Sequence, residues 1–481
     1  MTPTKKNLFG SSAKMDSIRR LEAKREAIKK QPVKKTPGTI SRSMLSDEQV
    51  KALEKMEDFI HSTDRQMVLA GYAGTGKSTI TRMLLDYIDN ETSIKAIGTA
   101  PTNEAVRVIA NLSGREYTST IYSLLGLTLV QDDDGPARLK VNGSSKLKDY
   151  ELIIVDESSM INTDLFMMVE SLLRQYSHIK LLYIGDPAQL PPVNDPNGIS
   201  PVFLIDQTKW AFLSEVQRCT ANNPIIQLVT LIRNNLNSQF DVFPHTTTYN
   251  EESQIGIEFI TDHDVFMDKM YDLFCSDEFK ADPNYVRALA YTNKAVNAMN
   301  SHIRKKIYGS KVPEYVENEI VLVDEPVIIN KQIVYSAGER LRIHSIELIE
   351  DDLLGFKYWC LDVENYESQT CNRVRMDINV IHKNYKVKYK EALTSKSEKA
   401  KRDVIELGDK GKAWVPYFIF KNKFTSVKYM YALTTHKSQG STFKNVFAVN
   451  VDFNTLRWNH VERNKLKYVA FTRASHRLVI Y

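Results

Sequence analysis

The nine residues GYAGTGKST, Gly71–Thr79, follow the short apolar run Met67–Ala70 and open a stretch that reads as helix to about Tyr87. Gly71–Ser78 satisfies G-x-x-x-x-G-K-[ST] in full, and it stands where that pattern has physical meaning, between a strand and a helix. Glycines let backbone N–H groups turn inward around phosphate oxygens, and the helix N-terminus adds a partial positive charge. On this reading Gly71, Gly74, Thr75, Gly76 and Thr79 shape the cradle, Lys77 reaches the β- and γ-phosphates, and Ser78 ligates Mg²⁺. A nucleoside triphosphate is expected there. What its hydrolysis drives is not written in these nine residues.

The surrounding pattern supplies the fold class. IKAIGTA (Ile94–Ala100), ELIIVDE (Glu151–Glu157) and IKLLYIGD (Ile179–Asp186) are further buried-type strands separated by helical stretches. Apolar strands alternating with helices predict an α/β parallel sheet, whose ligands gather past the C-terminal ends of the strands. Before the first strand, Leu45–His61 reads as an amphipathic helix in which Ser46 and Gln49 have the spacing of a capping box. Gly126–Ser145, with Asp-Asp-Gly-Pro inside it, reads as an inserted hairpin with an acidic tip at Asp132–Asp134. A second α/β pattern begins at Val286–Val296 and resumes at Val427–Gly440. Between the two, about 312–424 is rich in short alternating runs and is expected to be a β-rich insert.

Chemistry collects at three strand ends. Asp156 and Glu157 stand where one carboxylate holds Mg²⁺ and a second orients or deprotonates an attacking water. Gly185–Pro192 (GDPAQLPP) brings Gln189 toward a γ-phosphate. Arg218 in LSEVQR and Arg473 in YVAFTRAS are candidates for stabilising the charge of phosphoryl transfer.

Composition narrows the class further. The 481 residues are 42% hydrophobic and 26% charged, which suits a multi-domain globular protein. No stretch approaches the ~18 apolar residues of a membrane span, and MTPTKKNLFGSS has no signal-peptide core. Four scattered cysteines (Cys219, Cys275, Cys360, Cys371) fit a reducing compartment rather than a disulfide framework, so a cytoplasmic setting is expected. Residues 1–43 hold twelve Lys/Arg and three Asp/Glu, a net of +9. With +5 overall, the remainder of the chain is therefore slightly acidic. This basic tail is expected to be disordered, and either a polyanion or an acidic partner suits it.

In order along the chain, GYAGTGKS, APTNEA, TSTIYSLL, VDESSM, GDPAQLPPV, LSEVQR, AYTNKAV, TTHKSQGSTF and YVAFTRA resemble the motifs of superfamily 1 helicases, most of all the RecD-like B subclass. The resemblance spans about Leu45 to Tyr481. It implies two RecA-like domains with ATP between them, stepping 5′ to 3′ along single-stranded DNA, and unwinding of fork DNA by a monomer. The implied domains are 44–240, carrying the hairpin as a strand-separating pin, and 241–311 with 425–481, interrupted by an SH3-like module at 312–424. Carried over by motif, Gln49 resembles an adenine-reading glutamine, a role that competes with its capping box. Arg218 and Arg473 resemble γ-phosphate arginines. Gln439 and Gly440 resemble the segment that couples nucleotide to DNA.

DNA contacts are expected from Pro101, Thr102, Asn103, Thr120 and Tyr122 in the first domain, and from Asn293, Lys294, Thr435, His436 and Lys437 in the second. Small polar residues of this kind position a strand without reading its sequence. Two plainer readings stand beside them, Thr102 as a helix N-cap and Tyr122 as a core aromatic. Tyr122 also departs from the histidine expected in phage members of the family. Leu139 is the candidate wedge of the pin. The tail is a candidate site for a single-strand DNA-binding protein.

Other classes fit less well. A small-molecule kinase has no need of a second α/β domain ending in an arginine motif. A GTPase would carry N-K-x-D, but after Asn293-Lys294 the Asp position holds Val296. An ATP-binding scaffold, or a translocase that does not unwind, remains the alternative.

Overall fold

The computed structural model describes residues 41–481 apart from 114–117, 131–137, 142–144, 193–194, 196–197, 217–222, 244, 330–331, 353 and 367–373. The chain enters through helix Asp47–His61, whose capping box is formed. Ser46 Oγ accepts from the Gln49 amide, and Gln49 Oε1 accepts from the Ser46 amide at 3.1 Å. Such a cap is worth about 1 kcal/mol. The first domain then lays down β1 (Gln66–Gly71), β2 (Ala96–Ala100) and β3 (Thr118–Thr120), the hairpin strands β4 (Leu127–Val130) and β5 (Arg138–Val141), and β6 (Leu152–Val155), β7 (Lys180–Gly185) and β8 (Trp210–Leu213). Its six-stranded sheet has the order β3-β2-β6-β7-β1-β8, and all pairings are parallel. Alternation along β1 shows why the run is wholly apolar. Met67 and Leu69 join the core under helices Asp47–His61 and Lys77–Glu91, while Val68 and Ala70 join the core on the opposite face.

After β9 (Gly256–Phe259) and β10 (Val286–Ala290) the chain builds an insert: β11 (Ile320–Val323), β12 (Val327–Ile329), β13 (Gln332–Tyr335), β14 (Arg340–Asp351), β15 (Phe356–Asn365), β16 (Arg375–Ile381) and β17 (Val427–Tyr429). It returns with β18 (Ala432–Thr434), β19 (Phe443–Ala448) and β20 (Ala474–Ile480). The second parallel sheet has the order β18-β10-β19-β20-β9, and the insert's antiparallel sheet runs β16-β15-β14-β11-β17.

Three expectations are corrected. Helix Pro224–Asn234, assigned by its place in the chain to the first domain, buries Ile225, Leu228, Val229 and Ile232 against Leu466, Val469 and Phe471 of the second. The insert does not end at 424, because β17 completes its sheet by pairing with β11. Nor is it only β: helices Lys386–Leu407 and Lys410–Lys421 form a hairpin on it. That hairpin turns at Gly408, whose φ of 65° suits the left-handed cap, and is capped again at Asp409. Among the described residues no helix is long and apolar enough to cross a membrane.

The expected hairpin is present as two paired strands, with Leu127 opposite Val141 and Val130 opposite Arg138. Its acidic tip, Asp132–Asp134, lies outside the described residues, as do the Leu139 side chain and the basic tail through residue 40.

Candidate functional site

The loop after β1 has the backbone its sequence demands. Gly74 and Gly76 have φ of 81° and 86°, a region that penalises side chains. At Gly76 a Cβ would also fall 2.2 Å from Gln49 Nε2. That amide nitrogen is engaged elsewhere, donating to the Thr75 carbonyl at 2.9 Å, while Oε1 serves the cap. In this structure Gln49 therefore ties the first helix to the phosphate loop, and both ends of its amide are occupied. Lys77 Nζ donates to the carbonyls of Gly71 and Tyr72 at 2.7 and 2.9 Å, and buried Thr75 donates to the Tyr72 carbonyl. Ser78 is exposed on the first turn of the following helix, beside half-buried Thr79.

Asp156 and Glu157 stand just past β6. The Glu157 amide donates to Asp156 Oδ1 at 2.8 Å, and Glu157 takes a φ of 50°, rare for a non-glycine residue. Burial raises both carboxyls. For Glu157, burial first and the neighbouring Asp156 charge second push the pKa up to about 7, partly offset by Arg473 and Lys77. A carboxylate poised near neutrality suits a general base.

The second domain closes over this loop. Tyr468, from helix His460–Thr472, accepts through its hydroxyl from the Ala73 amide at 3.0 Å and donates to Asp186 Oδ2 at 2.7 Å. Asp186 Oδ1 in turn accepts from the Ala188 amide at 2.9 Å, which shapes the turn that carries Gln189. Arg233 stacks over Tyr72 at 3.8 Å, so a second element of that domain grips the same loop. Arg473 ends the helix that bears Tyr468. It is 7% exposed and donates only to neutral oxygens: the carbonyls of Val469 and Ser441 and the hydroxyl of Thr472. Burial lowers its pKa, partly offset by the Glu157 and Asp186 carboxylates. Gln189 is buried with Oε1 unpartnered, and Gln439 likewise with Nε2 unpartnered. Arg218 lies outside the described residues.

Beside the nucleotide residues, a channel of about 1290 Å³ runs between the two parallel-sheet domains and the insert. Pro101, Thr102, Asn103, Thr120, Tyr122, Asn293, His436, Lys437 and Gln439 all line it. Two expected contacts do not. Thr435 is 0% exposed and bonds back to the Ala290 carbonyl, so it shapes the turn. Lys294 is exposed on the first turn of helix Asn293–Tyr308, away from the lining.

Several lining residues also hold the channel together. Thr102 Oγ1 accepts from the Ala105 amide as a helix cap, and Tyr122 packs on the first-domain core while facing the channel. Asn103 donates to the Ala337 carbonyl of the insert at 2.7 Å, and Glu104 pairs with Arg340 of the insert at 3.3 Å. Lys437 pairs with Asp324 at 2.8 Å, and burial lowers the pKa of His436. Gly440 packs against Ala105 of the first domain.

Sequence reading missed Tyr468, Asp186 as its partner, and Asp452. The Asp452 carboxylate accepts from the amides of Tyr291 and Thr292 at 2.7 Å each and so fixes the loop that presents Asn293. Tyr468 lies inside the quoted YVAFTRA, but its hydroxyl's partners are 395 and 282 residues away.

Comparison with known proteins agrees with this arrangement. Residues 44–255 match the AAA domain family, and residues 429–481 match the UvrD-like helicase C-terminal domain family. The chain is 26% identical over 457 residues to the ATP-dependent DNA helicase dda of Enterobacteria phage T4, covering 90% of this chain and 98% of that protein. It is 34% identical over 187 residues to the ATP-dependent RecD2 DNA helicase of Deinococcus radiodurans, covering 39% of this chain and 24% of that one. A solved structure described as Pif1 helicases unwinding forked double-stranded DNA is similar at a TM-score of 0.49 and 16% identity, covering 90% of this chain and 92% of the other. With the two family matches in order along the chain and the phage relative aligned along 90% of it, the chain is similar to the superfamily 1 helicases of the RecD-like B subclass.

Proposed function

We propose that this chain is an ATP-dependent DNA helicase that moves 5′ to 3′ on single-stranded DNA and opens duplex at a fork, in phage-type replication, recombination or repair. The observation that carries the reading is the Tyr468 bridge. One hydroxyl joins the phosphate loop to Asp186 across the domain interface, beside a channel built from both domains. Nucleotide state and channel width are thereby linked mechanically. Direction and substrate rest on the family and on relatives named as DNA helicases.

Within the site, Lys77 and the loop amides bind the triphosphate. The Ser78 hydroxyl and the Asp156 carboxylate fit Mg²⁺, a hard cation that takes few protein oxygens besides those of the nucleotide, and whose charge would offset that of the phosphates. Glu157 orients the attacking water and accepts its proton, and Gln189, buried with its Oε1 unpartnered, is the candidate contact for the γ-phosphate. Arg473 neutralises the transferring phosphoryl group, and the family resemblance gives Arg218 the same role. Closing the cleft shortens the distance between the strand contacts Pro101, Thr102, Asn103, Thr120 and Tyr122 and their counterparts Asn293, His436 and Lys437. Hydrolysis and release reopen it. If the two sets loosen in turn, the strand advances.

The reading is tested by measuring ATP turnover with and without single-stranded DNA. Strong stimulation by the strand is expected, and turnover indifferent to it would remove the motor. Deleting 131–142, the turn of the β4–β5 hairpin together with strand β5, is expected to spare single-strand translocation and impair duplex opening. Unchanged unwinding would remove the pin role. Truncation of 1–43 should flatten the salt dependence of strand binding if the tail holds phosphates. If it instead recruits a single-strand DNA-binding protein, the truncation should abolish co-purification with that protein.

A further inference from the structure

Trp458 is 96% exposed, the most solvent-exposed large apolar side chain among the described residues. A tryptophan ring left in water forgoes a large burial gain and is uncommon without a partner. Its backbone is held on both sides. Leu456 packs on the second-domain core, Asn454 accepts from the buried Lys467 ammonium at 2.7 Å, and Asn459 caps helix His460–Thr472 through the Glu462 amide at 3.1 Å. The ring is therefore presented from a fixed turn.

That turn borders the channel. Asn459, Val461, Glu462 and Lys465, the residues that follow Trp458, line its wall. Asn459 spends its amide on the Glu462 carboxylate at 2.7 Å, leaving a wall of apolar, neutral and acidic groups before Lys465 is reached. With one carboxylate and one ammonium the wall offers no cluster of positive charge to phosphates, so the exposed ring is the group this turn presents to a strand. We propose that Trp458 stacks on a nucleobase of the single strand at this mouth of the channel, an inference that rests on the strand-binding reading above. Base–aromatic stacking is indifferent to sequence, as a motor requires. The helix that begins two residues later carries Tyr468 and ends at Arg473, a span of about 20 Å. A base held at Trp458 thus bears on the same rigid rod as the nucleotide arginine.

The test uses the full chain, an oligodeoxythymidylate, and an abasic oligomer with the same number of phosphates. Trp458→Ala is expected to weaken binding of the thymidylate about 5- to 150-fold and to bind the abasic strand as the wild type does. Trp458→Tyr should recover most of the loss. In the wild type, the strand should protect indole emission from acrylamide, and this protection should be absent in Trp458→Ala. Equal thymidylate affinity in wild type and Trp458→Ala would overturn the stacking role alone, as would an equal loss on the abasic strand. A wild-type chain that binds neither strand would overturn the strand-binding reading together with it.

Discussion

Arg473→Ala is expected to lower DNA-stimulated ATP turnover about 10³-fold or more while ATP affinity stays within a few-fold of wild type. The reason lies in how the guanidinium is held. Its hydrogen bonds go to neutral oxygens, so it keeps its charge unspent while being fixed in place. A charge fixed in a buried cleft acts on negative charge that develops during transfer far more than it would in water. A 10³-fold loss corresponds to about 4 kcal/mol of transition-state stabilisation. Arg473→Lys should fail almost as badly, because one ammonium cannot reproduce the fork that meets Val469, Ser441 and Thr472 together. Steady-state ATPase at saturating strand, beside equilibrium binding of a fluorescent ATP analogue, separates the two parameters. Turnover at the wild-type rate would end the cleft-closing assignment. Tyr468→Phe should be milder. Losing the hydroxyl uncouples Ala73 from Asp186, so stimulation by the strand falls several-fold while basal turnover changes less.

The largest stability effect is expected far from the nucleotide. Arg304, on helix Asn293–Tyr308, meets Glu319 of the insert through two bonds of 2.6 and 2.8 Å, with side-chain exposures of 5% and 0%. It also donates to the Pro313 carbonyl and stacks over Tyr429 at 4.0 Å, while Tyr431 donates to Glu319 at 3.0 Å. Arg304→Met leaves Glu319 buried and facing a single hydroxyl. Breaking such a pair costs about 3–5 kcal/mol, which should lower the unfolding midpoint of this half by roughly 6–20 °C. The double variant Arg304→Met/Glu319→Leu should recover most of the loss, since an apolar pair of similar volume avoids the stranded charge. Differential scanning calorimetry distinguishes the cases. Single and double variants equally destabilised would mean that packing around the pair, not its charge, sets the cost.

Much of the first domain was legible because its causes are local. The strand–glycine–lysine order of Gly71–Ser78 needs only backbone geometry at Gly74 and Gly76. The Ser46–Gln49 cap acts across three residues. The apolar run of β1 follows from burial on both faces. The residues expected to meet a strand follow the strands that face the cleft, and most of them line the channel.

The misreadings have equally plain causes. Helix Lys386–Leu407 buries little more than Ala400, so no apolar stripe announces it, and Pro416 within the next helix argues against a helix at all. Helix Pro224–Asn234 has an apolar face that would suit either core, and chain proximity pointed to the wrong one. Gln49 had two readings, of which the motif favoured adenine contact, while the structure forms the helix cap. The fold added a third partner, the Thr75 carbonyl.

By itself, then, the sequence determined the glycine-rich loop, the adjacent carboxylates, the two-sheet α/β class and the resemblance to helicases, because each is written in neighbours or in the order of motifs. Only the tertiary structure decided which residues meet. Tyr468 reaches Ala73 and Asp186, Arg473 lies within the field of Glu157, Arg304 closes on Glu319, and Trp458 stands unpartnered beside the channel. These depend on the packing of elements far apart in the chain, where side-chain chemistry has no period to read.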